Sequence, residues 1–339
     1  MTKLKTIFFA ASALALLGVS ACKDPSDGTG GGNIALPEAP FVEGGASLIL
    51  SPDKLTIRVK AVTSDGSAVA VEGCTETNLA SDNTYTWLHA TGTVVILKGK
   101  IIELSCGDDK NGIHNKLTAL NVQGLSALQV LSCGSNRLTA LNVQGLTALQ
   151  VLACSYNQLT ALNVQGLSAL ERLECYENQL TALDVQGLNN LQVLACGSNK
   201  LTGLNVQGGE TALKDLRCDG NKLAALDVHG CTALTGLSCD GNEQLTSLNV
   251  QGCTALTNLS CQNNGLSSLD VHGCTALGSL RCDENKLISL NVQGCTALTS
   301  LSCQNNKLPS LDMQGCTALS MLSCQNNGLS SLDVHGCTA

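Results

Sequence analysis

From Leu128 to Ala339 the chain repeats a unit of 21 letters ten times, and so short a period leaves few ways to build a core. In its cleanest copy, Leu277 to Ala297, the unit reads LGSLRCDENKLISLNVQGCTA. The copies begin at Leu128, Leu149, Leu170, Leu191, Leu213, Leu234, Leu256, Leu277, Leu298 and Leu319, and all ten keep the cysteine and the asparagine. Leu280, Arg281 and Cys282 alternate in, out, in, the period of a short strand with one buried face. Three residues do not make a stable strand alone. Stacked in parallel at roughly 4.8 Å per rung, they become a long sheet lining the concave side of a repeat solenoid. Asn285 falls in the following turn, where an amide can both donate to and accept from buried backbone groups. Leu287, Leu290 and Val292 return to the core. Gly294, glycine in all ten copies, marks positive φ or a close backbone approach. No full return helix fits, so the convex side is expected to be extended or 3₁₀.

Ahead of the repeats the chain divides into three. Residues 1–21, MTKLKTIFFAASALALLGVSA, carry Lys3 and Lys5, then an apolar run and no acid, and read as a secretory signal. Val19-Ser20-Ala21-Cys22 reads as a lipobox, which makes Cys22 the lipid-attachment site and the membrane contact. Lys23 and Asp24 follow it; aspartate is absent from the position where, by analogy, it retains lipoproteins in the inner membrane. An outer-membrane or cell-surface location is therefore expected. Residues 22–45, rich in Gly, Asp, Ser and Pro, read as a flexible tether. Residues 46–100 alternate like strands and read as a small β-rich N-terminal cap over the open edge of the first rung. Trp87, the one tryptophan, is expected in the core of that cap. Ile101-x-x-Leu104-x-Cys106 is a partial first rung, so residues 101–339 make about eleven repeats. Single-residue insertions near Gly209-Glu210 and Glu243-Gln244 fall outside the apolar slots. The chain ends on the last letter of a unit without a polar capping repeat, which suggests a longer parent protein.

The unit L-x-x-L-x-C-x-x-N-x-L, with L-D-V-x-G-C-T-A after it, resembles bacterial surface leucine-rich-repeat proteins. It is most similar to the 21-residue cysteine-ladder repeats of some internalins and of oral-bacterial repeat lipoproteins. The resemblance implies an α/β-type leucine-rich-repeat solenoid, mostly β and irregular, that binds proteins and mediates attachment to host or neighbouring cells. It carries no catalytic residues. The chain departs from the better-known internalins in lacking a helical N-terminal cap and a cell-wall sorting signal.

Charge and composition narrow the functions further. Loss of Lys3 and Lys5 with the signal takes the formal charge from −8 to −10, which disfavours nucleic acid, and aromatics at 2% deny a stacking platform for single strands. No other apolar run approaches the ~20 residues of a spanning helix. Nineteen cysteines in an exported chain would ordinarily imply disulfides. Here Cys133 through Cys324 recur in an inward slot, and Cys231 through Cys337 fill a slot that Leu125, Leu146, Leu167 and Leu188 fill earlier. Exchange with leucine marks buried thiols acting as small hydrophobes. The rung spacing also exceeds the roughly 3.8 Å between Cβ atoms that a disulfide prefers, and parallel columns offer no tetrahedral metal site. His229, His272 and His335 alternate with Gln and read as exposed convex filler. Asp283-Glu284 and Asp108-Asp109 read as solvated turns rather than calcium sites. No cofactor, metal or enzymatic constellation is indicated.

Candidate binding residues come from comparing rungs within the chain. Tyr156 and Tyr176, the two tyrosines of the solenoid, stand just past consecutive strands, on a side that also carries Val130, Val151, Arg172, Glu174, Glu177 and Val193. Later rungs put mostly Ser, Gln, Asn and Asp there. Tyrosine and arginine are the types that carry binding hot spots. The expectation is a monomer whose N-terminal concave face binds a protein on host or bacterial surfaces. A structural envelope spacer, for which uniform rungs such as Ser302, Gln304 and Asn305 would suffice, is the alternative.

Overall fold

A computed structural model describes residues 38–107, 112–206, 212–335 and 337. The signal, Cys22 and most of the tether, the insertion at Gly209-Glu210, and Asp108-Asp109 lie outside the described residues. The cap contributes β1 (Gly45–Leu50), β2 (Thr56–Thr63), β3 (Val69–Glu72), β4 (Asn78–Leu79), β5 (Thr86–His89) and β6 (Val94–Lys98). The first rung supplies β7 (Ile101–Gly107) and β8 (Leu117–Asn121); the next rungs supply β9 (Val130–Cys133), β10 (Val151–Ala153), β11 (Arg172–Glu174), β12 (Val193–Ala195) and β13 (Asp215–Arg217).

Identical spacing makes identical rungs pair in register. Leu131, Leu152, Leu173, Leu194 and Leu216 stack as parallel neighbours, and the pattern runs to Leu322. The concave sheet holds thirteen strands: eleven parallel rungs, then β2 and β5 at its N-terminal end. The convex side is extended, with short parallel pairs such as Ala225–Asp227 on Ser247–Asn249, and no helix occurs among the described residues. The protein is therefore a leucine-rich-repeat β-solenoid of eleven turns.

The cap joins both sides of the first rung. In β2, Ile57, Val59 and Ala61 point into the core while Arg58 and Lys60 point out, and the strand runs antiparallel to β7. Buried throughout, β1 lies between β6 and β8 in a second sheet. Thus the cap continues the sheet instead of lying across its end, and the bare edge of β7 is consumed by ladder hydrogen bonds.

Between rungs, the asparagine column does the fastening. Asn199 Oδ1 accepts from Leu180 N at 2.9 Å, while its Nδ2 donates to Cys175 O, Cys196 O and Gly197 O at 3.0, 3.1 and 3.1 Å. Each asparagine thereby ties its own turn to the preceding one. The column starts earlier than the ten copies indicate. Asn115, buried, accepts from Arg58 N at 2.9 Å and donates to Arg58 O and Cys106 O at 2.8 Å, locking β2 onto the first rung. At the Glu243-Gln244 insertion the pattern shifts: Asn264 Oδ1 accepts from Asn242 N, and Leu245 N donates to Asn242 O. The extra residue is absorbed in the turn and Leu245 stays buried.

The eight described glycines of the Gly294 slot from Gly145 to Gly315, seven in V-x-G and Gly315 in M-Q-G, have φ between 75° and 88°. A second left-handed slot lies two residues past the ladder cysteine, filled by Ser135, Tyr156, Glu177, Ser198, Gly220, Gly241, Asn263, Glu284, Asn305 and Asn326. Glycine and asparagine suit it; tyrosine and glutamate sit there against their preference.

Two sequence expectations are corrected. Trp87 is not in the core: it is 50% exposed, because β5 is the last strand of the concave sheet and alternation turns Leu88 inward and Trp87 outward. Asp283 is not solvated: it is 9% exposed, and its Oδ1 is buried without a hydrogen-bond partner, because the residue after the ladder cysteine tucks between rungs.

Candidate functional site

Successive strands place the candidate residues. Val130, Val151 and Val193 head β9, β10 and β12, each half-buried, in line with Arg172 at the head of β11. The first and third residues of each three-residue strand face the concave side, because the middle leucine takes the core. Arg172 Nη1 pairs with Glu174 Oε1 at 3.0 Å. The Glu174 carboxylate is nearly buried, so that residue props Arg172 instead of presenting itself. Two rungs on, Arg217 Nη2 pairs with Asp215 Oδ2 at 2.9 Å with the order of charges reversed.

The tyrosines are adjacent but not equivalent. Tyr176 takes the slot that Ser155 takes one rung earlier and is half-buried, whereas Tyr156 takes the left-handed slot, with φ 54°, and is 44% exposed. Their rings meet edge to face, centroids 5.0 Å apart at 80°, a favoured aromatic geometry. The pair splits the predicted cluster. Tyr176 lines a hollow with Arg172, Val193, Ala195 and Asp219. Tyr156 stands on the turn-side rim beside His114, Lys116 and Arg137, and Glu177, exposed with φ 52°, is on the same rim. Lys116 and Arg137 both approach Asp53 of the cap, at 2.9 and 3.7 Å. The Lys116 hydrogen bond, with help from Ser51, holds the Asp53 carboxyl down at about 2. Burial pushes Asp219 upward from the usual carboxylate range.

Because three other rungs carry asparagine where Tyr156 sits, Tyr156→Asn relieves backbone strain while losing the ring contact. Its stability is expected within about 0.5 kcal/mol of the parent, whereas Tyr156→Val, β-branched at positive φ, is expected to cost ~1–2 kcal/mol. Urea unfolding of the two variants checks both.

The concave face does not stop at the first rung. One hollow is lined by Val130, Val151 and Ala153 on the solenoid side and by Lys60 and Tyr85 on the cap side. Tyr85 OH lies 2.7 Å from Ser105 Oγ on β7. Sequence reasoning missed these cap residues. The available signal was the alternation Ile57, Arg58, Val59, Lys60, which already separates a core face from an outer one.

Of the nineteen cysteines, eighteen are described and none forms a disulfide. Cys106 through Cys303 of the first column are buried. Several thiols donate to a carbonyl one rung away, as Cys282 Sγ does to Ser302 O at 3.4 Å and Cys253 Sγ to Val228 O at 3.2 Å. Burial pushes Cys106, Cys154 and Cys196 up to about 12 and holds Cys218 and Cys239 well above the ordinary thiol value. Such thiols are neutral filler and not nucleophiles. His229, His272 and His335 are exposed, and no group of three metal-ligating side chains converges among the described residues. No helix among them is long and apolar enough to cross a membrane.

Period, asparagine column, thiol columns and parallel sheet together define a cysteine-ladder leucine-rich-repeat solenoid. No protein-family model matches the chain, and no curated protein matches it. Among solved structures it is similar to the functional domain of InlJ from Listeria monocytogenes, which includes a cysteine ladder, at 27% identity over 73% of this chain and 68% of that one, TM-score 0.45. It is also similar to a leucine-rich-repeat protein of Leptospira interrogans (23% identity, 65% and 72% covered, TM-score 0.40). A third likeness is to the internalin InlF of Listeria monocytogenes (20% identity, 68% and 86% covered, TM-score 0.38).

Proposed function

We propose that the protein is a lipid-anchored bacterial surface module whose N-terminal concave face binds another protein in adhesion to host or neighbouring cells. The observation that carries this reading is the contrast along one sheet. Strands β9 to β13 present valines, two oppositely ordered Arg–carboxylate pairs and, beside them, Tyr176, whereas the later strands Gly236–Ser238, Asn258–Ser260 and Ser300–Ser302 present only small or amide groups, Arg281 and Met321 being the large exceptions on that half. A rigid parallel sheet holds those large groups with little entropy left to lose on binding, which favours recognition over mere spacing.

Anchoring rests on the lipobox alone. Replacing Cys22 with Ser is expected to release the processed protein into the soluble fraction. Retention of that variant with detergent-extractable membranes after signal cleavage would refute the anchor.

A further inference from the structure

On the cap, Arg58 and Lys60 of β2 interleave with Trp87 of β5 and with Tyr85, the residue just before that strand. Arg58 and Lys60 of β2 project to the side carrying Tyr85 and Trp87, with Arg58 lying opposite Trp87 in the ladder. The Arg58 guanidinium stands 5.5 Å from the Tyr85 ring centre and 5.2 Å from that of Trp87, and the Lys60 ammonium is 5.7 Å from the Tyr85 ring centre. Such contacts hold cations in place without neutralising them.

Neither cation of this strip makes an ion pair among the described residues, although Glu103 lines the same hollow as Lys60 and Tyr85. Arg58 Nε is buried with no hydrogen-bond partner, and no carboxylate pairs with the guanidinium among the described residues. Lys60 Nζ donates to the neutral Asn83 Oδ1 at 2.8 Å. Lys98 pairs with Glu72, Lys100 with Asp65 and Lys116 with Asp53, whereas Lys54, in the turn before β2, has no ion pair among the described residues. The backbone of Arg58 is clamped by Asn115, so its side chain is presented from a fixed point. The outer edge of β5 is partly used, since His89 N donates to Glu76 Oε2 and His89 O accepts from Thr75 N, which leaves side chains rather than strand addition to do the recognising.

We infer that the cap forms the N-terminal end of the recognition face and seats an acidic segment of the protein partner, its carboxylates on Arg58 and Lys60 and its neighbouring side chains against Tyr85 and Trp87. This rests on the reading of the concave face as a protein-binding surface and assigns the partner's chemistry at one end of it. A guanidinium whose fork is unengaged suits a carboxylate. The chain as a whole carries a formal charge of −8, so an acidic segment is repelled over much of the surface and drawn to this strip, which would set the register of docking.

Trp87 is the only tryptophan, so its emission reports the site directly. The full chain in mild detergent is titrated with hexaglutamate, hexaglutamine, hexalysine and a sulfated oligosaccharide. Hexaglutamate is expected to shift the emission saturably and less so as salt rises, while hexaglutamine and hexalysine leave it unchanged. Arg58→Gln with Lys60→Gln is expected to weaken the peptide about tenfold or more, Arg58→Lys to weaken it less, and Lys98→Gln, on the other sheet, to leave it as it was. Melting temperatures accompany each variant, and Arg58→Lys keeps the test valid if the double variant folds poorly. No shift with hexaglutamate, equal binding by a folded double variant, or a response to the sulfated sugar alone overturns the inference. If hexaglutamate fails while variants at Tyr156 and Tyr176 still abolish attachment, only this assignment falls; if those variants also leave attachment intact, the reading of the face falls with it.

Discussion

Raising the pH through 9 to 10.5 is expected to unfold the solenoid. An ordinary thiol titrates near 9.0, and burial holds Cys133, Cys175, Cys218, Cys239, Cys261 and Cys282 well above that, with Cys106, Cys154 and Cys196 at about 12. Between 9 and 12 the unfolded chain releases these protons and the folded chain keeps them. The unfolded state therefore binds fewer protons, and stability falls as pH rises, having been full below 9. Each such thiol costs about 1.4 kcal/mol per pH unit, so the nine together remove on the order of 10 kcal/mol by pH 10, comparable to the whole stability of a typical domain. Circular dichroism across that range checks it. Replacing Cys218, Cys239 and Cys261 with valine is expected to lower the slope of stability against pH by roughly a fifth, since Cys74, Cys253, Cys274, Cys295, Cys303 and Cys316 are raised as well; an unchanged slope would mean that the ladder thiols are not the titrating groups.

Asn199→Leu is expected to be among the most damaging single changes in the chain, at about 3–5 kcal/mol. The substitution is apolar and similar in size, yet it leaves Leu180 N buried without a partner and strips Cys175 O and Cys196 O of one of their two amide donors, Asn178 Nδ2 and Asn221 Nδ2 being the ones that remain. Because each asparagine ties two turns, the loss falls on an interface between rungs, and the melt is expected to split into two transitions as coupling along the solenoid weakens. Calorimetry distinguishes this from a uniform shift of one transition, which would indicate that the asparagine serves its own turn only.

The repeat region was legible because its residues act through a fixed period. Leucine, cysteine and asparagine recur every 21 letters, and the structure buries each in the same way at every turn before the last, where Leu322, Cys324 and Asn327 are half-buried. The cap was legible as strands but not as a continuation of the concave face. Which strand borders β7 depends on pairing across more than forty residues, and the alternation in β2 reads the same whether it lies over the solenoid end or in line with it. That is why Trp87 looked like core. Asn115 was hidden by the long segment after Gly107, although its spacing to Leu117 is that of every other column asparagine to its leucine except Asn242, where the insertion adds one residue. The left-handed slot after the cysteine was obscured because serine, tyrosine and glutamate share it with glycine and asparagine. Tyr156 and Tyr176 consequently looked like neighbours on one face, whereas one sits on the rim and the other in the hollow.

The recognition face is tested by substitutions that this chain already tolerates at equivalent slots. Tyr156→Asn with Tyr176→Ser copies residues found in other rungs, as does Gln304→Ser with Asn305→Ser at the C-terminal end. Both double variants are expected to melt close to the parent. Attachment of the purified proteins to host and neighbouring bacterial surfaces is then compared by quantitative binding. The N-terminal variant is expected to lose ~2 kcal/mol or more of affinity, a drop of about thirtyfold on the hot-spot scale, while the C-terminal variant binds like the parent. Equal binding by the two, or a loss confined to the C-terminal variant, would contradict a recognition face on the first rungs.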